Sequence, residues 1–224
     1  KRRYENEKLR LPSVPEPPEI KFQKKVDNSE KSGIIREGRL REPTKITDDA
    51  IDNIPLVEID GLTQSENEFV RNQHQELLRY ARDNNDSNEV AFVFRKGFTD
   101  RSEFLGSDDK IDFGAALYGK GDGIFIMHNH PRNSSFSFYD ILEFLKDDVS
   151  ALSIVKNNGE VEVIKKTGSF DKRRAMVEYA RIKKAYIKNG ADEEYSQLGL
   201  AFLQKLSKGG NIQWLQSKEQ VLVR

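Results

Sequence analysis

The sequence contains no cysteine. Disulfides and thiolate-bound metals are thereby excluded, and any ion held by this chain must be held by imidazole and carboxylate groups. Histidine is scarce as well, with three residues in 224. No uninterrupted apolar run approaches the roughly 18 residues that a membrane-crossing helix needs. Nothing near the start has the charged, apolar and small-residue order of a signal peptide. Membrane contact is therefore not expected. The chain opens on Lys1 rather than methionine, which leaves open a larger parent polypeptide or assembly.

What is abundant is charge. Asp, Glu, Lys and Arg make up 33% of the residues, above the quarter usual in globular chains, so part of the chain should be extended or heavily solvated. The formal net charge is zero, yet residues 1–45 carry +5, residues 46–169 carry −10 and residues 170–224 carry +5. An acidic middle argues against nucleic acid as the partner of the central segment, because phosphate backbones are met by basic surfaces. The basic ends read as solvated tails and helix faces.

Length suits one principal domain with appendages. Four of the seven prolines fall within residues 11–19, LPSVPEPPE, so residues 1–45 read as an extended or disordered basic arm. A central domain is expected over 46–168 and a helical extension over 169–224. In the domain, TDDAIDNI suggests a short helix, and Thr63-Gln64-Ser65-Glu66 has capping-box spacing for a longer one reaching about Arg82. On that helix His74 falls among Val70, Leu77, Leu78 and Ala81, the setting of a packed, satisfied histidine. Strands are expected over 89–94, 124–127, 149–155 and 160–164, with FGAALYG as a further short strand and 119–123 as a turn. Lys156-Asn-Asn-Gly159 should turn a hairpin. Helices are expected over 138–146 and, twice, in the C-terminal part, before Asn189-Gly190 and before Gly209-Gly210. The fold class is α/β, mixed α+β, with a central mixed β-sheet flanked by helices.

Two of the three histidines lie one residue apart in Met127-His128-Asn129-His130-Pro131. On an extended backbone residues i and i+2 project to the same side, so both imidazoles can reach one ion. Pro131 cannot donate to a ladder and should end the strand. If Ser137 starts the next helix, Asp140 in its first turn points back toward the strand end and can supply a third ligand. Two imidazoles and one carboxylate leave a fourth position open, as in catalytic zinc sites. The same Ser137-Phe-Tyr-Asp140 also has the form of a capping box, which gives Asp140 a structural role to set beside the chemical one.

His-x-His-Pro followed by Ser-x-x-Asp, in the wording HNHPRNSSFSFYDI, resembles the JAMM motif of the JAB/MPN metalloprotease superfamily, and especially its RadC-like and phage- or toxin-associated bacterial branches. The resemblance spans roughly residues 65–165 and implies the JAB/MPN (cytidine-deaminase-like) fold. It implies Zn2+ held by His128, His130 and Asp140, with Ser137 as oxyanion donor and an upstream glutamate as general base. Glu89, opening the strand EVAFVF, matches that glutamate; Glu68 and Glu103 are the alternatives. Six residues separate His130 from Ser137 where the family usually has seven, so Ser134 or Ser135 could take the serine's place.

The resemblance implies a zinc-dependent hydrolase of peptide or isopeptide bonds acting on a protein or peptide substrate. It is expected in the cytoplasm, with a secreted toxin as the alternative. Two other readings are a catalytically inactive binding or assembly module of a phage, mobile-element or toxin protein, and a metal-dependent nuclease. The letters HNH do not by themselves indicate an HNH nuclease, since no matching second half follows.

Overall fold

The computed structural model describes residues 42–106, 111–114, 121, 123–188 and 195–217. Residues 1–41 of the expected arm, and most of the FGAALYG strand and the 119–123 turn, lie outside the described residues. Among the described residues no helix is long and apolar enough to cross a membrane.

The elements run α1 (Asp48–Asp52), α2 (Gln64–Asn84), β1 (Val90–Phe94), a short 3-10 turn (Lys96–Phe98), β2 (Arg101–Leu105), β3 (Ile124–His130), α3 (Phe138–Phe144), β4 (Val149–Lys156), β5 (Val161–Lys166), α4 (Lys172–Lys188), α5 (Tyr195–Lys208) and β6 (Ile212–Gln216). The strands form one six-stranded sheet in the order β2-β1-β3-β4-β5-β6. β3 and β4 pair in parallel while the other neighbours pair antiparallel. A parallel pair needs a crossover, and α3 lies within it. The fold is therefore mixed α/β around a mixed sheet.

Strand alternation sends side chains to two helical layers. Phe92, Phe94, Phe125 and Met127 face Val70, Leu77, Leu78 and Ala81 of α2. Val93, Ile124, Ile126 and Ile154 face Ile141 and Phe144 of α3, with Ala175, Leu198, Phe202 and Leu203 from the last two helices. Each such fully buried side chain contributes about 1.5–3 kcal/mol by leaving water.

α2 begins where expected, with Thr63 Oγ1 accepting from Glu66 N and Glu66 Oε2 accepting from Thr63 N. It runs two residues past Arg82. The 156–159 turn closes with Gly159 N donating to Lys156 O at 2.8 Å. Gly159 has φ +88°, and a Cβ there would lie 2.5 Å from the Ala50 carbonyl oxygen, so the position requires glycine.

Four expectations differ from the structure. The 124–127 strand continues through both histidines to His130. Two strands were not expected: β2, with exposed Arg101 and Glu103 on its outer edge, and β6. These are the two edges of the sheet, where mixed or charged sequence hides the apolar alternation. The C-terminal part is also more than a helical extension, because α4 and α5 cover one face of the sheet and β6 completes it beside β5. At the other end Thr44, expected in the arm, donates from its backbone N to Pro131 O at 2.7 Å, fastening the entry of the chain to the loop after His130.

Candidate metal centre

All seven residues of β3 are buried. Alternation places His128 and His130 on the α3 side of the sheet, with their Nε2 atoms 2.9 Å apart. Asp140 sits in the first turn of α3 and returns to the same point, its Oδ1 3.0 Å from His128 Nε2 and its Oδ2 3.4 Å from His130 Nε2. Glu89 lies immediately before the neighbouring strand β1. Ala91 is the ladder partner of His128, and Glu89, two residues earlier, shares its side of the sheet. Glu89 Oε1 lies 3.7 Å from His128 Nε2.

The structure thus brings together His128, His130, Asp140 and Glu89. Their side chains are 3%, 8%, 12% and 7% exposed. Ionisable groups withdrawn this far from water are paired or coordinate a metal. Glu89, His128 and His130 each offer a ligand atom, all within 4.8 Å of one another, and together could hold a metal ion. Asp140 touches both imidazoles of that group.

Electrostatics within the cluster is strongly coupled. Burial opposes ionisation of Asp140, but the two imidazoles beside it outweigh burial and hold its carboxyl well below the usual carboxylate range. Burial likewise opposes the His130 imidazolium, yet Asp140 and Glu89 prevail and raise its pKa. In the absence of a cation, then, these groups favour a proton on His130 and a charge on Asp140.

His130 Nδ1 is 3.0 Å from both the carbonyl oxygen and the hydroxyl of Ser134. Donation from Nδ1 to that carbonyl leaves the Nε2 lone pair for the cluster, the usual tautomer of a metal-binding histidine. Ser134 thereby orients a ligand. Ser135 turns elsewhere and donates to Glu162 Oε2 at 2.8 Å. Glu162 Oε1 in turn pairs with Lys156 at 2.9 Å.

Ser137 is the N-cap of α3: its Oγ accepts from Asp140 N at 3.2 Å while Asp140 Oδ2 accepts from Ser137 N at 2.6 Å. Accepting that bond leaves the hydroxyl hydrogen of Ser137 for another acceptor. The alternative glutamates lie apart from the cluster, Glu68 bonded to Gln64 on α2 and Glu103 paired with Arg101 on β2. His74 is on the opposite, α2 side of the sheet, with Nε2 2.9 Å from Ser153 Oγ. Burial pushes its pKa down to about 3, so it is a neutral core residue near pH 7.

Inspection of the sequence missed Ser134 as a partner of His130, and it missed the buried Lys156–Glu162 pair. Lys156 directly after Ile154-Val155, and Glu162 between Val161 and Val163, were the available signal for the pair. Comparisons with family models, with curated proteins and with solved structures returned no match to this chain.

Proposed function

We propose that the protein is a zinc-dependent hydrolase of peptide or isopeptide amide bonds, of the JAB/MPN type that its HNHP and Ser-x-x-Asp motifs resemble. The observation that carries this reading is the convergence of two imidazoles and two carboxylates, from β3, α3 and the start of β1, on one buried point. Ligand atoms about 2.0–2.2 Å from a tetrahedral zinc lie about 3.3–3.5 Å apart. The two Nε2 atoms are 2.9 Å apart, and Asp140 reaches His128 through Oδ1 at 3.0 Å and His130 through Oδ2 at 3.4 Å, so a small outward adjustment fits this donor set. An N2O set also suits zinc chemically, and the absence of cysteine removes thiolate alternatives.

Zinc bound there would supply Lewis acidity and activate water near neutral pH. The chain's own groups do the rest. Glu89, close to His128 but on a different strand, accepts a proton from the attacking water and returns it to the leaving amine. The Ser137 hydroxyl donates to the carbonyl oxygen as negative charge grows on it. Water adds across the C–N bond, giving a carboxylate and an amine. The partner is a protein or peptide chain able to present an amide to the cluster where β3 ends and α3 begins, and the cytoplasm is the proposed compartment.

Elemental analysis of protein purified without added metal is the first test. About one zinc per chain, lost in His128→Ala and Asp140→Asn, supports the reading; wild-type protein without bound metal refutes it. Turnover of a peptide library that disappears on metal removal then separates a hydrolase from a metal-holding module without catalysis.

A further inference from the structure

Asn129 lies between the two histidines, and alternation turns it to the opposite face of the sheet, where it is completely buried. There it performs a task that the β1–β3 ladder leaves undone, the Glu89 carbonyl being held separately by Gly106 N and Asn85 Nδ2, both at 2.9 Å. Paired residues of β1 and β3 begin at Ala91 and His128, short of Glu89. Beyond that point the Asn129 side chain takes over. Its Oδ1 accepts from Val90 N at 2.7 Å, and its Nδ2 donates to Asn88 O at 3.2 Å. One planar amide therefore grips the peptide groups on both sides of Glu89.

The amide is itself held. Asn129 Nδ2 also donates to Asn157 Oδ1 at 2.8 Å. Asn157, completely buried in the β4–β5 turn, donates through its own Nδ2 to Thr44 O at 2.7 Å and to Ser87 O at 2.9 Å. Its backbone N also donates to His130 O at 3.3 Å. Asparagine suits the position for a chemical reason. Aspartate keeps the acceptor but loses both donors, serine is too short to span Asn88 and Val90, and glutamine is one methylene too long.

We propose that Asn129 is a positioning residue: it sets the backbone of Glu89 and so fixes the distance from that carboxylate to the metal ligands on either side of Asn129 itself. The inference rests on the reading of Glu89 as the group that works beside a metal held by His128 and His130. One residue couples base and ligands, because its own backbone carries the histidines and its side chain carries the strand end that bears the glutamate. A carboxylate placed about 1 Å wrong can cost on the order of 100-fold in rate.

The test uses cobalt(II) as a spectroscopic probe, with the visible spectrum of the whole chain followed against pH. Glu89→Gln should displace the midpoint of the spectral change, because it removes the proton acceptor beside the metal. Asn129→Ala should displace it in the same direction while still binding one cobalt per chain. Ile212→Ala, which opens a cavity in edge strand β6 three strands from β3, destabilises the fold without entering this amide network and should retain the wild-type midpoint. If Asn129→Ala does not fold, Asn129→Ser, which adds no charge and is too short to span Asn88 and Val90, is read in its place. A wild-type midpoint in the Asn129 variant, or an equal displacement in Ile212→Ala, overturns the proposal. No cobalt uptake by the wild type, or no effect of Glu89→Gln, overturns the metallohydrolase reading itself and this inference with it.

Discussion

His74 provides a quantitative check on the division of the three histidines into two ligands and one core residue. Its imidazole is 1% exposed, packed under α2 with Ser153 as its hydrogen-bond partner, and its pKa is lowered from 6.5 to about 3 by burial. In the unfolded chain the same ring protonates near its ordinary value. Between about pH 6.5 and pH 3 the unfolded state therefore binds the extra proton, and stability falls as pH falls through that window. Each pH unit is worth about 1.4 kcal/mol, so acidification from about pH 6.5 to pH 5 should remove about 2 kcal/mol through this residue. His74→Gln keeps a hydrogen bond to Ser153 and does not titrate. Urea unfolding of wild type and variant at about pH 7.5 and pH 5 should show the wild type losing about 2 kcal/mol more than the variant. Metal content should be unchanged in His74→Gln. An equal acid loss in both proteins would refute the burial argument, and loss of metal in the variant would refute the division of roles.

The centre itself supplies further tests. Because Asp140 and Glu89 raise the pKa of His130, protons compete with the metal, and affinity measured by a chelator titration should weaken steadily as pH falls through the acidic range. Gly159→Ala should cost more than about 1 kcal/mol in urea unfolding, since the new methyl meets both a positive φ and the Ala50 carbonyl. Ser137→Ala separates cap from catalysis: loss of the cap alone costs about 1 kcal/mol of stability, whereas an oxyanion donor costs about 100-fold or more in turnover at saturating metal. Asp140→Asn should abolish retention of zinc through dialysis while leaving a folded protein by circular dichroism.

The parts of this fold that were legible in the sequence are those with strong periodicity. The α2 face, the hairpin turn at Gly159 and the two C-terminal helices all announced themselves through helical spacing or turn chemistry. Where those helices go was not legible, because an apolar stripe says that a face is covered and not by what. β2 and β6 escaped for a different reason. Edge strands bury one side at most, and Arg101 and Glu103 on β2 form an ion pair that reads as loop. At the site, parity alone put His128 and His130 together. Glu89 carried no local signal of its own beyond opening a strand, and only motif order pointed to it. Asn129 and Asn157 had none, since a buried amide leaves no periodic trace and its partners are 28 to 113 residues distant in sequence.

Asp140 shows why a helix cap and a metal ligand need not be rival readings of one residue. A carboxylate has two oxygens and about four lone-pair directions. Oδ2 accepts the Ser137 N–H at 2.6 Å and still lies 3.4 Å from His130 Nε2, while Oδ1 lies 3.0 Å from His128 Nε2. The bond to Ser137 closes the capping box and locks the side-chain rotamer, so the carboxylate is held at the strand end before any ion arrives. Preorganisation of this kind lowers the cost of assembling a site from two separate elements. The shorter spacing between His130 and Ser137 acts at the same place. A loop of six residues still delivers the first turn of α3 to both imidazoles, because Asn133 takes a positive φ of +57° just beyond His130 and turns the chain back. Straightening that turn, for instance by Asn133→Val, should lower metal affinity even though the Asn133 side chain bonds Thr44 and Asn158 and no ligand side chain; an unchanged affinity would mean that the capping box alone is enough to place Asp140.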